Sequence, residues 1–294
     1  MDFPVLTGAT EVKPRHISEL VEQYRASSWW TKLAARTRKD YDEYINMLLN
    51  SNYSGAYIDT FTPKLADMIY QHIKTEHGIK RANYFTTVWV RIYNFAIKNE
   101  WIAVNPWEFT ERSKTTPRDT VWTEQQVKDV INAAKVEGNK EFATYVKLLY
   151  EVGQRPSDVL SMNRSMLIQD EHGWYIKFRQ KKTGAFVTPA ISNETHCMIN
   201  ELTDIDLDGS FFKSFTLENM QEYLRHYKDL LKLPKELQLR DLRRTALTEA
   251  GSAGATDAEM KAQSGHKNRA MLDTYSVSTR KQSLEGFRKR FKDA

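Results

Sequence analysis

The chain has 294 residues, 40% of them hydrophobic and 28% charged, enough to bury a large core and to make two domains the first expectation, with a single domain as the alternative. No apolar run approaches the roughly 18 residues of a membrane span, so the composition argues against a membrane protein. A net charge of +5 is compatible with nucleic-acid binding without requiring it, since many proteins that ignore DNA are as basic.

The opening MDFPVLTGAT has neither a basic n-region nor an apolar h-region, which predicts no secretory signal and a cytoplasmic protein. Residues 1–13 read as a short N-terminal tail, and a helical domain is expected over 14–108. From His16 to about Asn99 apolar residues recur at steps of three and four, as in Leu20 and Tyr24 and in Tyr41, Tyr44, Ile45, Leu48 and Leu49, and four helices are expected. Thr62 before Pro63 has the pattern of an N-cap and a first-turn proline, opening a helix through Leu65, Met68, Ile69 and Ile73 that Gly78 interrupts. The next helix carries Phe85, Val88, Trp89, Ile92, Tyr93 and Ala96 on one face. Aromatics at that spacing read as core rather than as base-stacking groups.

Residues 109–120, which include TERSKTTPRDT, are polar, contain Pro117 and lack periodicity, so they read as a linker. A second domain is expected over 121–294. Thr123 with Gln126 forms a capping-box pattern, and a further helix over Phe142 to Val152 ends at Gly153, with Pro156 suited to a new first turn. Arg155 therefore falls at a helix junction. Between Ser165 and Ile191 three short runs, MLI, WYIKF and AFVTPAI, are separated by the turn formers DEHG and KKTG, predicting a small three-stranded antiparallel sheet. Cys197, alone, forms no internal disulfide or multi-cysteine zinc site and is expected in the core. Helical periodicity returns over Leu217 to Leu231 and Leu239 to Ala250. The tail offers Leu284, Phe287 and Phe291 on one helical face, suited to docking on a neighbouring copy or on its own domain. The fold class expected is mainly α: a helical domain followed by a mixed α+β domain with a small antiparallel sheet.

Four segments of the second half stand out: EVGQRPSDVL, RQKKTGAF, RDLRRTALTEAG and SGHKNRAMLDTYS. Taken singly each has a plain explanation. Arg155 and Asp158 fit an i,i+3 surface pair, Lys182 a solvated turn, Arg240, Arg243 and Arg244 a solvated helix face, and His266 a structural histidine. In order and spacing together, they resemble the tyrosine recombinase (phage integrase) family across about residues 120 to 285. The resemblance carries the family's first arginine onto Arg155, its hairpin lysine onto Lys182 and its His-x-x-Arg box onto Arg240 to Arg243. It also carries the Gly-His segment onto Gly265 and His266, and the nucleophile, nine residues on, onto Tyr275. The helical first half is similar to the family's core-binding domain.

The resemblance implies that Tyr275 attacks a DNA phosphorus, forming a 3′-phosphotyrosine link and freeing a 5′-hydroxyl. Arg155 and Arg243 are then expected to stabilise the non-bridging oxygens, Lys182 to protonate the leaving oxygen, His266 to add a hydrogen bond and Asp158 to orient Arg155 or another cation. One departure is plain: Arg240 stands where the family usually has histidine. With a pKa above about 12 it cannot take the phenolic proton, although it can donate to phosphate and favour the phenolate. No cofactor is implied, the seven histidines form no metal-ligand pattern, and no P-loop or GxGxxG is evident. Expected partners are double-stranded DNA attachment sites and three further copies in a tetramer that passes through a Holliday junction, with an accessory or directionality factor in addition and no membrane. Arg36, Arg38, Lys39, Arg81 and Arg91 are first-domain candidates for phosphate contacts. Residues 1–13 are too few for the separate arm-binding domain of some phage integrases. Two alternatives stay open: a weak or inactive DNA-binding protein on the same scaffold, prompted by Arg240, and a type IB topoisomerase-like enzyme.

Overall fold

A computed structural model of the protein describes residues 15–202 and 209–265. The chain divides into two compact units, Met1–Pro117 and Arg118–Ala294. Among the described residues, no helix is long and apolar enough to cross a membrane.

The first unit is helical: α1 (Ile17–Ala26), the single turn α2 (Ser28–Thr31), α3 (Ala35–Leu49), α4 (Pro63–His77) and α5 (Ile79–Lys98). The four longer ones answer to the sequence periodicity, and α2 is an extra turn capped by the Ser27 hydroxyl. The start of α4 follows its sequence signal, since the Thr62 hydroxyl accepts the Leu65 N–H at 3.2 Å and Pro63 fills the first position. Gly78, at φ 86°, both ends α4 and begins α5, a conformation that a side chain would strain. Phe85, Trp89 and Tyr93 of α5 are fully buried, where they meet Trp107, whose ring lies 6.1 Å from that of Trp89. The aromatic face of α5 is thus core.

The second unit begins with α6 (Glu124–Val136), opened by the expected capping box: Thr123 Oγ1 accepts the Gln126 N–H and Gln126 Oε1 accepts the Thr123 N–H. Next comes α7 (Lys140–Val152), whose Phe142, Tyr145, Val146, Leu149 and Val152 are fully buried, and the single turn α8 (Pro156–Val159). Five short strands follow: β1 (Leu167–Asp170), β2 (Gly173–Ile176), β3 (Phe178–Arg179), β4 (Phe186–Val187) and β5 (Ala190–Ile191). Helices α9 (Asn193–Asn200), α10 (Leu217–Leu230), α11 (Asp241–Ser252) and α12 (Asp257–Ser264) complete the described residues. Helix α7 is the central element, packed against α6 on one side of the sequence and α9 and α11 on the other.

The strands form an antiparallel sheet in the order β1-β2-β5 and a separate antiparallel β3-β4 hairpin. The three runs read from sequence are therefore present, but two of them split between the sheet and the hairpin. Lys177 sends its N–H to Met166 O at 2.8 Å, the last rung of the β1-β2 ladder, and Ile176 sends its N–H to Pro189 O at 3.0 Å, while Pro189 has no N–H to return and the second ladder is interrupted there. The β3-β4 hairpin keeps the register of the β2-β5 pair and carries Lys182 at its turn. A second correction concerns Cys197: it lies on α9 but is exposed, because that helix buries Thr195, Met198 and Ile199 instead.

Candidate active site

Arg155 caps the N-terminus of α8, at the junction the sequence predicts, because Gly153 ends α7 in the left-handed conformation (φ 59°) and Pro156 restarts the helix. Its side chain is partly exposed, at 23%. Asp158, one turn on, is buried, with Oδ2 3.6 Å from Arg155 Nη1 and Oδ1 accepting the Lys181 N–H at 3.2 Å. One carboxylate thus ties the arginine to the hairpin turn that carries Lys182. Lys182 itself is exposed.

Arg243, on the first turn of α11, is 5% exposed. Its Nη1 donates to Gly153 O at 3.0 Å and to Gln154 Oε1 at 3.3 Å, and its Nη2 to Ser264 O at 2.9 Å. Between the two arginines lie two buried amides that the sequence reading passed over, Gln154 and Gln180. Gln180 Oε1 accepts from Arg155 Nη1 at 3.2 Å, and its Nε2 donates to Gln154 Oε1 at 2.6 Å and to Ser264 O at 2.7 Å. An unbroken hydrogen-bonded path therefore runs Arg155–Gln180–Gln154–Arg243 through segments up to 89 residues apart in sequence. Each glutamine sits inside a motif already singled out, next to its arginine or two residues before Lys182. What identifies them is their burial, which the motif spacing does not report.

Arg240 is exposed at the N-cap of α11, on the wall of a cavity of about 320 Å³ that Arg225, Lys228 and Gln221 also line. The start of α11 is held by Arg118, whose Nε and Nη2 donate to the two carboxylate oxygens of buried Asp241 at 2.7 and 2.6 Å and which also bonds Glu236 O. That pairing raises the Arg118 pKa above its ordinary value, chiefly through the hydrogen bonds to Asp241. Trp122 adds a second tie, its N–H reaching Thr245 Oγ1 at 2.8 Å and its indole N–H reaching Gln238 O at 3.2 Å.

Helix α12 ends at Gly265, left-handed at φ 70°, and a Cβ there would lie 2.8 Å from Gln180 Nε2 and 2.9 Å from Val187 Cγ1. Gly265 therefore answers two demands, backbone conformation and close approach. His266 and Tyr275 lie outside the described residues, as do the tail residues Leu284, Phe287 and Phe291. Of the predicted site residues, the structure brings Arg155, Asp158, Arg243 and the hairpin of Lys182 into one connected cluster, with the backbone leading to His266 joined to it. In the first unit, Arg36 pairs with Asp40, Arg81 with Glu43, and Arg91 donates to the Tyr24 hydroxyl. Among the described residues no group of three histidine, cysteine or carboxylate side chains is arranged to hold a metal.

A helical unit followed by a mainly helical unit with a small antiparallel sheet and two arginines joined through buried amides is an architecture shared with DNA integrases of known structure. A λ integrase dimer bound to a COC′ core site superposes with a TM-score of 0.74 at 17% identity, covering 90% of this chain and 78% of that one. A λ integrase tetramer bound to a Holliday junction gives 0.76 at 16% identity over the same shares, 90% and 78%. A Tn1549 transposon integrase fragment in complex with circular intermediate DNA gives 0.73 at 15%, covering 92% and 99%. No curated protein sequence matches the chain. The sequence model of the phage integrase family matches residues 120–282, more than half of the chain. The chain belongs to the phage integrase family of tyrosine recombinases.

Proposed function

We propose that this protein is a site-specific DNA recombinase that cuts and rejoins strands through Tyr275, serving the integration or excision of a phage or other mobile element. The observation that carries the reading is the buried path joining Arg155 to Arg243, to which the Lys182 hairpin and the backbone before His266 are also tied. The phenolic oxygen of Tyr275 attacks the phosphorus, the P–O5′ bond breaks, and a 3′-phosphotyrosine forms. Arg155 and Arg243 hold the non-bridging oxygens as negative charge builds, in a setting where burial strengthens their field. Lys182 gives the 5′-oxygen its proton. Arg240 cannot take the phenolic proton, which passes to water, and its charge instead favours the phenolate. His266 donates to the same phosphate, and Asp158 orients Arg155. Attack by a 5′-hydroxyl of a second duplex reverses the chemistry without an external energy source.

In this reading residues 14–108 form the core-binding domain and 121–294 the catalytic domain, joined by the linker 109–120. The DNA partner is a duplex attachment site, and four copies act on two sites through a Holliday junction. Arg240 in place of histidine is the observation that favours a second reading, a slow or inactive DNA-binding protein, since a lost proton acceptor costs about 10² to 10⁴ in rate. The test uses a duplex selected from a randomised pool by binding to the protein and then nicked so that the released strand end diffuses away. The expected result is a protein–DNA adduct resistant to denaturant that is absent in Tyr275→Phe. Binding without any adduct is the outcome expected of the second reading.

A further inference from the structure

We propose that Gln154 and Gln180 are positioning residues for strand cleavage: a pair of neutral amides that fixes Arg155, Arg243, the Lys182 hairpin and the segment leading to His266 in one register. The proposal rests on the recombinase reading above and extends it to residues that touch no substrate. A side-chain amide has two N–H donors and an oxygen with two lone pairs. Gln180 uses all of them: Nε2 donates to Gln154 Oε1 and Ser264 O, while Oε1 accepts from Arg155 Nη1 and from Thr183 Oγ1 at 2.5 Å. So does Gln154, whose Nε2 donates to Val152 O at 3.3 Å and Gln263 O at 2.5 Å and whose Oε1 accepts from Gln180 Nε2 and Arg243 Nη1.

The orientation of both amides follows from these partners, because each oxygen faces a guanidinium and each nitrogen faces carbonyl oxygens. Flipping either one would set N–H against cation and oxygen against oxygen. Neutrality matters as well. A carboxylate in either place would pair with an arginine and cancel positive charge meant for phosphate, whereas the amide pair joins the two guanidiniums, one through each glutamine, and leaves their charge intact. Thr183, next to Lys182, hangs from the same Gln180 oxygen. Ser264 O receives both Gln180 and Arg243, and Gln180 also fills the space a Cβ on Gly265 would need. One amide therefore touches the mounting of every described element of the site except Arg240.

The test compares wild type with Gln154→Leu, Gln180→Leu and the double variant in single-turnover adduct formation on the nicked, pool-selected duplex, with thermal melting to measure the folded fraction. At saturating duplex each leucine variant is expected to lose about 10² in rate through misplacement of the reacting groups, with half-saturation shifted by less than about threefold. The double variant is expected to lose no more than the slower single one, because the two amides act as a unit. Gln180→Glu keeps the volume if leucine unfolds the domain. It is expected to be slower than wild type at neutral pH, and to recover relative to wild type as pH falls and its carboxyl regains one donor. Folded variants with wild-type saturated rates, or losses that multiply in the double variant, would overturn the proposal while the recombinase reading stands. Absence of an adduct in wild type itself would overturn both.

Discussion

Replacing Gly265 by alanine separates two costs that the structure assigns to one position. The left-handed backbone (φ 70°) is the first, and the second is the collision of a new Cβ with Gln180 Nε2 and Cδ and Val187 Cγ1, all within 2.9 Å. Gln180 is the far end of a side chain, but its hydrogen bonds on four sides leave it no room to yield cheaply. A left-handed L-residue costs about 1–2 kcal/mol and overpacking about 1–3 kcal/mol, so Gly265→Ala is expected to destabilise the second unit by about 2–5 kcal/mol. Gly254→Ala is the internal reference: its φ is 93° and nothing lies within 4 Å of the added Cβ, so it carries the backbone cost alone. In a unit of this size each kcal/mol lowers the midpoint by about 2–4 °C, well within the reach of calorimetry on the full chain. The Gly265 variant should melt clearly below the Gly254 variant, and its adduct formation should fall further than its melting explains, since His266 follows directly. Equal melting of the two variants would refute the close packing of Gly265 on Gln180.

Arg118→Ala removes two charge-assisted bonds from buried Asp241 and is expected to cost about 1–3 kcal/mol in urea unfolding; a change below about 0.5 kcal/mol would show that the start of α11 does not depend on this clamp. Lys182→Ala should slow cleavage by about 10² to 10⁴, and a substrate whose leaving 5′-oxygen is replaced by sulfur should recover most of that loss, because a thiolate leaves without an added proton. Failure of the sulfur substrate to rescue would assign Lys182 another role. Burial, with a hydrogen bond to Glu137, pushes the Tyr227 phenol up to about 12. The unfolded chain releases that proton near the ordinary value of about 10, so stability is intact below that pH and falls as pH rises from about 10 toward 12. Tyr227→Phe should flatten this alkaline fall, as followed by denaturant titration at several pH values.

The fold was legible where local signals are strong. Thr62–Pro63, the Thr123–Gln126 box and Gly153 mark helix ends by chemistry confined to a few neighbouring residues, and each sits where its signal places it. The aromatic face of α5 was legible for the same reason, a periodicity carried over a long helix. The sheet was legible from its runs and turn formers, which pair antiparallel in chain order; the break that divides the second ladder was not, since strands of two to four residues carry too little pattern to mark it. Helix α9 escaped because its eight residues bury only Thr195, Met198 and Ile199, and Cys197, expected inside, falls on its outer face. In the site, Arg155, Lys182 and Arg243 could be named because charged residues in fixed order are visible in a sequence. Gln154, Gln180 and Arg118 could not, since a buried amide or a linker ion pair takes its meaning from partners 25 to 123 residues away.

In the proposed reaction the phenolic oxygen of Tyr275 is the atom that joins this protein to DNA. Digestion of the trapped adduct, followed by mass spectrometry of the peptide that carries the residual nucleotide, tests it directly. The expected product is a single modified peptide with the phosphate on the Tyr275 oxygen and a 3′-linked nucleotide; a link to any other side chain, or a 5′-linked nucleotide, would rule the proposed reaction out.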